Sequence, residues 1–326
     1  MSLLEVKGLV KVYGEGKGIL RKKSAPVCAV DNVSFSVAEK KTLAIVGESG
    51  CGKSTTAKCI IRLETPTAGQ VLFHGTDLAQ LSPKDMRLHR RHIQMIYQDP
   101  FPSLNPRMSV FSLLAEPLRT HKLGDKAQIR QKVEEMANMI GLTREQLSRY
   151  PHQFSGGQRQ RISIGRALIT RPSLILADEP VSALDVSIQA QVLNLLADLQ
   201  DELGLTMLFI SHDLNVVQHV SDHIAVMYLG SILEMGPTRQ VCQNPQHPYT
   251  IALMDSVPKL DPSDRRERPL LEGDVLSLSQ RPKGCLFGTR CKNATSFCRE
   301  LPPKPVEVSP GHYVSCYLFE KTEENQ

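Results

Sequence analysis

The chain has 326 residues, 41% hydrophobic and 22% charged, so it is long enough for a large core and more than one domain. Its formal net charge of +5 is small for this length and does not argue for a nucleic-acid partner. No apolar stretch approaches the ~20 residues that cross a bilayer, and the N-terminal residues lack the basic and apolar regions of a signal peptide. We therefore expect a cytoplasmic protein whose eight cysteines are not paired in disulfides.

The first forty residues are predicted to form antiparallel strands. Val33, Phe35 and Val37 alternate with polar residues, which is the period-2 pattern of a half-buried sheet. Between Tyr13 and Val30 a stretch rich in Gly and Lys predicts a loop.

A phosphate-binding loop is predicted at residues 47–54. The apolar run before it is typical of a buried parallel strand, and the residues after it predict a helix that ends before Pro66. Glycines let the N–H groups of such a loop point inward, and the helix N-terminus adds positive potential. Lys53 supplies a charge for the β- and γ-phosphates, and Ser54 a hydroxyl for Mg²⁺. The sequence therefore predicts that a nucleoside triphosphate is bound by Gly47, Glu48, Ser49, Gly50, Cys51, Gly52, Lys53, Ser54 and Thr55.

A helical subdomain, inserted into an α/β core, is predicted from Asp99 to about Arg171. Several prolines between 100 and 117 give way to a helix from about Lys126, where apolar residues recur at helical spacing. Gly141 stands where a C-terminal cap belongs.

A second anion-binding element is predicted at the end of this region. A Ser-Gly-Gly turn opens a helix that continues to Pro172, and the uncovered N–H groups of a helix N-terminus attract anions. One chain needs only one phosphate loop for each nucleotide. The second element makes sense if it faces the γ-phosphate of ATP on another chain, through Ser155, Gly156, Gly157 and Gln158.

Polar residues at the ends of predicted strands are the candidates for hydrolysis. Asp178 ends an apolar strand and is expected to hold Mg²⁺ through water, while Glu179 is expected to orient and deprotonate the attacking water. Gln98 is a candidate contact to both Mg²⁺ and the water. His212 follows another core strand and is a candidate contact to the γ-phosphate. A lone histidine is more often structural, so its assignment rests on that position.

Beyond about Gly236 the periodicity fades, and we predict a linker at 236–262 and a small cysteine-containing domain at 263–326. In a cytosolic protein four clustered thiols suggest a metal site before disulfides. Zinc is disfavoured because C-x2-C knuckles are absent, and four thiolates on a loop with few apolar residues suit a 4Fe–4S cluster. A small fold with incidental buried thiols is the open alternative. The predicted ligands are Cys285, Cys291, Cys298 and Cys316.

Together these motifs closely resemble the nucleotide-binding subunits of ABC transporters, over roughly residues 1–235. The resemblance implies an α/β fold: a P-loop ABC ATPase with a RecA-like core, an antiparallel β subdomain, a helical subdomain at about 99–171 and a small Cys-rich C-terminal extension. It also implies ATP and Mg²⁺ as ligands, with Tyr13 stacked on adenine, although the loop after Tyr13 is longer than usual. In the family's terms the motifs are the Walker A loop, the Q-loop Gln98, the signature at 154–158, the Walker B pair Asp178 and Glu179, the D-loop ending at Asp185, and the switch histidine His212.

Within that family the chain looks most like the dipeptide/oligopeptide importer ATPases. The supporting residues are Gln98–Pro100, Ser103–Arg107, His247–Thr250 and the terminal cysteine segment, which resembles segments that hold a 4Fe–4S cluster in some members. The resemblance implies two transmembrane permease subunits, a second ATPase subunit (an identical copy or a paralogue) and, indirectly, a periplasmic or extracellular peptide-binding protein. It implies a peripheral location on the cytoplasmic face of the bacterial inner membrane. Related importers carry nickel complexes or glutathione, so the cargo is open.

The rival interpretation is a soluble ABC ATPase that acts on nucleic acid or the ribosome. Such proteins generally carry a long coiled-coil insertion or two tandem cassettes, and this chain shows neither. Its basic clusters are short enough to be a solvated helix face. An ATPase of a split exporter is a third possibility, but it would not obviously need the peptide-importer tail.

Overall fold

The computed structural model describes residues 2–14, 25–256 and 277–320. Parts of the predicted loop after Tyr13, of the predicted linker and of the predicted C-terminal domain lie outside these ranges. The strands are β1 Ser2–Tyr13, β2 Val27–Ala38, β3 Thr42–Val46, β4 Ala68–Phe73, β5 Thr76–Asp77, β6 Ile93–Ile96, β7 Leu174–Asp178, β8 Thr206–Ser211, β9 His223–Tyr228, β10 Ser231–Pro237, β11 Pro305–Ser309 and β12 His312–Ser315. The α-helices are α1 Lys53–Ile60, α2 Pro83–His89, α3 Pro100–Ser103, α4 Val110–Thr120, α5 Lys126–Met139, α6 Gly156–Leu168, α7 Val186–Leu203, α8 Leu214–Val220, α9 Thr238–Gln243 and α10 Pro248–Ser256.

The chain divides into two compact units. The first unit consists mainly of Phe73–Ile210, joined by Val37–Thr42 and by the first residues of the chain. The second unit consists of Glu5–Ser36, Leu43–Leu72 and Ser211–Gln326. The phosphate loop therefore belongs to the second unit, and the predicted helical subdomain belongs to the first.

Three parallel strands form the core of the first unit. β6 pairs with β7, and β7 pairs with β8, all in parallel. Every residue of β7 and of β8 is buried, as expected for a parallel strand covered on both faces. The register places Asp178 opposite Ile210, so the carboxyl ends of β7 and β8 finish side by side. The two apolar runs predicted as core strands are confirmed.

Helices fill the predicted helical region of the first unit. α5 begins with a capping box between Asp125 and Gln128, which was not predicted. It is followed by Gly141 in a left-handed conformation, as the sequence predicts. The stretch before it was predicted only as proline-rich, and this was incomplete because α3 and α4 lie there. Pro117 sits inside α4, whose apolar face is buried through residues such as Leu114 and Leu118. Packing of that face outweighs the low helix propensity of proline.

The second unit contains a mixed sheet. β3 pairs in parallel with β9, and the antiparallel partners follow in the order β9–β10–β12–β11. β10 follows, with Leu233 and Glu234 buried, and Glu234 lies opposite Val314 of β12. The alternation predicted for Val33, Phe35 and Val37 is confirmed, because all three are buried in β2 between exposed neighbours.

Candidate functional site

The phosphate loop joins β3 to α1 in the second unit and is built on glycines. Gly47, Gly50 and Gly52 have φ angles of 153°, 77° and 108°, which side-chain-bearing residues rarely adopt. A Cβ atom on Gly47 would lie 2.1 Å from the carbonyl oxygen of Met227, and one on Gly52 would lie 2.3 Å from that of Ala29. Neighbouring backbone therefore leaves no room for a side chain at either position.

Lys53 closes the loop from its first helical position. Its side chain is buried, and its Nζ donates hydrogen bonds to the carbonyl oxygens of Gly47 at 2.7 Å and Glu48 at 3.0 Å. Ser54 and Thr55 are half-buried in the same first turn of α1, while Ser49 and Gly50 are exposed. The loop thus presents an ammonium and a helix N-terminus together, the combination that favours a phosphate anion.

Residues from the C-terminal part of the second unit hold this loop in place. The hydroxyl of Tyr249 accepts a hydrogen bond of 3.0 Å from the backbone N–H of Glu48, and the guanidinium of Arg290 forms an ion pair with the Glu48 carboxylate at 3.0 Å. Sequence reasoning missed both contacts. The signal for Tyr249 was the His247–Thr250 motif, which was interpreted only as a family marker, and no local pattern points to Arg290.

Tyr13 stands at the end of β1 with 37% of its surface exposed. The Nζ of Lys11 lies 4.7 Å from the centroid of its ring, and its hydroxyl is hydrogen-bonded to Thr55. Burial of part of the side chain raises the pKa of Tyr13, and the Thr55 hydrogen bond works in the opposite direction. The structure thus brings the predicted adenine contact next to the first turn of α1.

The predicted hydrolytic residues of the first unit meet where β6 and β7 end. The side chain of Asp178 is 6% exposed at the last position of β7. Glu179 follows with a left-handed φ of 46°, and its N–H donates to the carbonyl oxygen of Ile210 at 2.9 Å. The side-chain amide of Gln98 donates a hydrogen bond of 3.1 Å to the Glu179 carboxylate. A non-glycine residue in this conformation is strained, and such strain is concentrated at functional sites.

The predicted second anion element is the N-terminus of α6. Ser155 is the N-cap, and a capping box links it to Gln158 in both directions, at 3.3 Å and 3.1 Å. Ser155 and Gly156 are exposed, whereas Gly157 is buried. A Cβ on Gly157 would lie 2.4 Å from Cγ2 of Ile188 in α7, so this glycine allows the two helices to approach closely.

The remaining two candidates lie at the surface. Asp185 is exposed and is the N-cap position of α7, although its side chain makes no capping hydrogen bond. α7 ends at Gly204, which has a left-handed conformation. His212 is exposed directly after β8, in the second unit. Asp185 thus directly precedes α7 and His212 directly follows β8, the positions that the sequence predicts for them.

The four C-terminal cysteines line one cavity of about 190 Å³ in the second unit, together with His247 and Phe287. Burial raises the pKa of the Cys285 thiol to about 11, and the other three thiols add to the shift through their charges. Nevertheless, within residues 2–14, 25–256 and 277–320, no group of three or more His, Cys, Asp or Glu side chains is arranged to hold a metal ion. The four thiols share a cavity but are not arranged around one metal position, so the predicted 4Fe–4S cluster is not shown, and neither is the disfavoured zinc site.

Comparison with known proteins identifies the family. Residues 30–182 match the model of the family described as ABC transporter, and residues 233–298 match that of the oligopeptide/dipeptide transporter C-terminal region. Over 321 residues, 98% of each chain, the sequence is 50% identical to the oligopeptide transport ATP-binding protein AppF of Bacillus subtilis. The chain belongs to the ABC transporter family. As an ABC ATPase it binds and hydrolyses ATP, and the recognition made from its motifs is confirmed.

Further relatives of this ABC ATPase agree with that assignment. The dipeptide transport ATP-binding protein DppF of Haemophilus influenzae is 48% identical over 315 residues, covering 97% of this chain and 96% of the relative. Among solved structures, a dimeric post-hydrolysis state of the ATP-binding cassette MJ0796 with ADP and Pi is 29% identical. It superimposes with a TM-score of 0.64 over 72% of this chain and 99% of that one. CbiO1 of Clostridium perfringens gives a TM-score of 0.66 at 26% identity, over 74% of this chain and 91% of that one.

The ABC ATPase fold, with its mixed α/β content, is thus confirmed. Within the described ranges, every helix is too short or too polar to traverse a lipid bilayer. The interpretation as a nucleic-acid- or ribosome-directed ATPase is not favoured, since the relatives named above are transport proteins. The domain boundaries at 235 and 262 stay predictions, as do the individual roles of the site residues.

Proposed function

We propose that this chain is the ATP-hydrolysing subunit of a peptide importer of the ABC type. The observation that carries the proposal is the match of residues 233–298 to the oligopeptide/dipeptide transporter C-terminal region. It is supported by relatives named for oligopeptide and dipeptide transport that align over nearly the whole chain. ATP hydrolysis follows from the family, whereas the proposed peptide cargo rests on the C-terminal region and on these names.

In the proposed mechanism the glycine loop at 47–52 and the N-terminus of α1 bind the phosphates. Lys53, which donates to the loop's own carbonyl oxygens, transfers those hydrogen bonds to the β- and γ-phosphates. Tyr13 stacks on the adenine through its exposed ring face. These residues bind ATP and fix the orientation of its phosphates.

Ser54, Gln98 and Asp178 are the residues that would hold Mg²⁺, because hydroxyl, amide and carboxylate oxygens are the ligands that this ion prefers. Bound with ATP, Mg²⁺ would neutralise charge on the phosphate oxygens. Glu179 takes a proton from the attacking water, and Gln98 keeps its carboxylate oriented through the 3.1 Å hydrogen bond. His212 contacts the γ-phosphate. The N–H groups at the start of α6 stabilise the negative charge of an ATP molecule that is held by another chain. Asp185, which is exposed, is proposed to face that same chain.

Two ATPase chains are proposed to close on two ATP molecules. The exposure of Ser155 and Gly156 at the N-terminus of α6 supports a role toward a partner, and a solved relative of this fold is dimeric. The second chain is an identical copy or a paralogue. A single chain should then hydrolyse ATP poorly at low concentration, because each site lacks its second half.

A groove in the helical part of the first unit is the proposed docking surface for the permease subunits. It has a volume of about 860 Å³, with apolar and charged walls drawn from α4, α5 and the segment after them. Tyr150 lines it with 43% of its surface exposed. Docking there puts the ATPase on the cytoplasmic face of the bacterial inner membrane, peripheral to the bilayer, with a peptide-binding protein on the opposite side.

The test is reconstitution of the chain with its two permease subunits and a second ATPase in vesicles. We expect ATP hydrolysis to rise when peptide-loaded binding protein is present, and labelled peptide to enter the vesicles. Tyr150→Glu should abolish co-purification with the permeases, whereas Leu88→Glu, at an exposed position of α2, should not. Uptake of a nickel complex or of glutathione, with no uptake of di- or oligopeptides, would replace the proposed cargo.

A 4Fe–4S cluster at Cys285, Cys291, Cys298 and Cys316 is also proposed, on the single observation that the four thiols line one cavity. A single zinc ion would need all four thiolate sulfurs within ~2.3 Å of one metal position. A 4Fe–4S cluster binds each sulfur to a different iron, so its four ligands need not come so close together. Anaerobically purified protein should contain iron and acid-labile sulfide, and Cys285→Ser with Cys298→Ser should remove both. Cys242→Ser, in α9, is the control. Unchanged or absent iron would contradict the assignment.

A further inference from the structure

Arg290 and Glu48 form a buried ion pair between the C-terminal region and the phosphate loop. Nη1 of Arg290 lies 3.0 Å from Oε2 and 3.2 Å from Oε1 of Glu48, and Nη2 lies 3.2 Å from Oε1. The side chains are 5% and 19% exposed. Such a two-pronged, charge-assisted contact fixes the orientation of both partners.

The charge of Glu48 explains why this pair matters for the loop. Glu48 stands between Gly47 and Ser49, in a loop whose ligand is a polyanion. A carboxylate at such a position repels phosphate, and partial burial strengthens the repulsion because water screens it less. Arg290 neutralises that carboxylate. The guanidinium of an arginine stays protonated in proteins, so the pair is fully charged.

The backbone of Glu48 is held by a second residue of the same region. The hydroxyl of Tyr249, a fully buried residue, accepts the Glu48 N–H at 3.0 Å. Phe287 packs against Tyr249 and Tyr228, with ring centroids 5.4 Å and 5.7 Å apart, and Tyr228 accepts from Arg290 at 3.3 Å. The contacts form one connected network.

We propose that Arg290 and Tyr249 are positioning residues for ATP binding, which hold Glu48 by its side chain and its backbone and neutralise its charge. The C-terminal region is then part of the nucleotide site, since without it the loop would carry an uncompensated negative charge and lose two of its anchors. The inference uses only the ATP-binding activity and not the proposed cargo.

The test is the affinity of the full-length chain for a fluorescent ATP analogue, together with KM and kcat for hydrolysis. Arg290→Met should weaken nucleotide binding and raise KM about ten- to a hundredfold, because the loop is then misplaced and the Glu48 carboxylate is uncompensated. Its kcat should stay within about twofold of the unsubstituted chain. Arg281→Met is the matched control. It breaks another ion pair of the C-terminal region, to Asp31 of β2, and should leave nucleotide affinity within about twofold of the unsubstituted chain.

Removing the carboxylate separates positioning from general damage. The Glu48→Gln/Arg290→Met double variant should regain most of the affinity lost in Arg290→Met, because no charge is left to repel the phosphates. If the double variant binds as weakly as Arg290→Met, or if Arg290→Met binds as tightly as Arg281→Met, the proposal fails. If Arg290→Met does not fold, Arg290→Lys replaces it. Its KM should rise about threefold, and adding Glu48→Gln should remove that increase. An unchanged KM in Arg290→Lys would overturn the proposal.

These outcomes do not depend on peptide transport. Loss of peptide uptake in the reconstituted system with an intact affinity pattern would overturn the cargo and leave the positioning role standing. Normal peptide uptake, with no effect of Arg290→Met on nucleotide affinity, would overturn the positioning role and leave the proposed cargo standing.

Discussion

The side-chain amide of Gln98 donates a hydrogen bond of 3.1 Å to the carboxylate of Glu179. The two residues follow neighbouring parallel strands, β6 and β7, so each reaches the other from a separate loop. Glu179 is further fixed by its N–H hydrogen bond to Ile210 and by a φ of 46°, which costs a non-glycine residue about 1–3 kcal/mol. A carboxylate held in this way has few alternative orientations, as a general base requires.

Glu179→Gln should stop hydrolysis while preserving nucleotide binding. Glutamine keeps the volume and the possibility of a hydrogen bond to Gln98 but cannot accept a proton from water at neutral pH. We expect phosphate release to fall at least about 100-fold, the lower range for loss of a general base. Affinity for a fluorescent ATP analogue should be unchanged. Glu202→Gln, at an exposed position of α7, is the control; hydrolysis by Glu179→Gln within a few-fold of that control would exclude the base role.

A stability difference is expected between two adjacent glycines of the signature. A Cβ on Gly157 would lie 2.4 Å from Ile188, whereas one on Gly156 would lie at an ordinary 3.6 Å from Leu184. Both changes to Ala gain similar helix propensity, so their difference isolates the contact with α7. Gly157→Ala should be about 1–3 kcal/mol less stable than Gly156→Ala in urea unfolding, as overpacking predicts.

The same contact can be relieved from the other side. Ile188→Ala removes the Cγ2 atom, so adding it to Gly157→Ala should restore part of the lost stability. If the double variant is less stable than either single variant, the clash is not the cause. If Gly157→Ala matches Gly156→Ala, the close approach of α6 and α7 is not required.

The fold was predictable where signals are local. β7 and β8 are continuous apolar runs because both faces are buried, and the ends of α5 and α7 carry caps such as Asp125 and Gly204 that the sequence displays. α4 was missed because Pro117 lowers local helix propensity, and the packing that compensates for it is tertiary. The register of β10 with β12 joins residues about eighty positions apart, which no local pattern encodes.

The candidate site, like the fold, was predictable where its signals are contiguous in the sequence and not where they depend on distant contacts. Loop glycines, strand-end carboxylates and the Ser-Gly-Gly turn are contiguous motifs, and they were found. The pairing of Glu48 with Arg290 joins positions 242 residues apart, and an arginine next to Cys291 carries no mark of its distant partner. The four thiols were found by their spacing, but spacing does not fix the distances between sulfur atoms, and the arrangement needed for a metal ion did not follow.

Tyr13 provides a third prediction, because its ring and its hydroxyl have separable roles. The ring is 37% exposed with Lys11 near one face, and the hydroxyl is hydrogen-bonded to Thr55. If the ring stacks on adenine, Tyr13→Ala should raise KM for ATP about tenfold, the scale of one base–aromatic stack, while Tyr13→Phe should stay near the unsubstituted value. Equal KM values for the two variants would show that the hydroxyl, or nothing at this position, matters for binding.

Tyr249→Phe isolates the contact of its hydroxyl with the phosphate loop. Phenylalanine keeps the ring that packs 4.6 Å from Tyr228 and 5.4 Å from Phe287, but it removes the acceptor of the Glu48 N–H. One hydrogen bond contributes about 1 kcal/mol, so ATP affinity should fall about three- to tenfold. Stability in urea should fall by no more than about 1 kcal/mol, because the buried apolar surface is kept.

Tyr313→Phe is the matched control for that substitution, since it removes the hydroxyl of a half-exposed tyrosine in β12 of the same unit. Its ATP affinity should equal that of the unsubstituted chain. Because Tyr249 and Arg290 act on the same residue, the effects of Tyr249→Phe and Arg290→Met should be less than additive in the double variant. Full additivity would mean that the two residues act on ATP binding by independent routes, and a loss of stability without a loss of affinity would make Tyr249 a core residue alone.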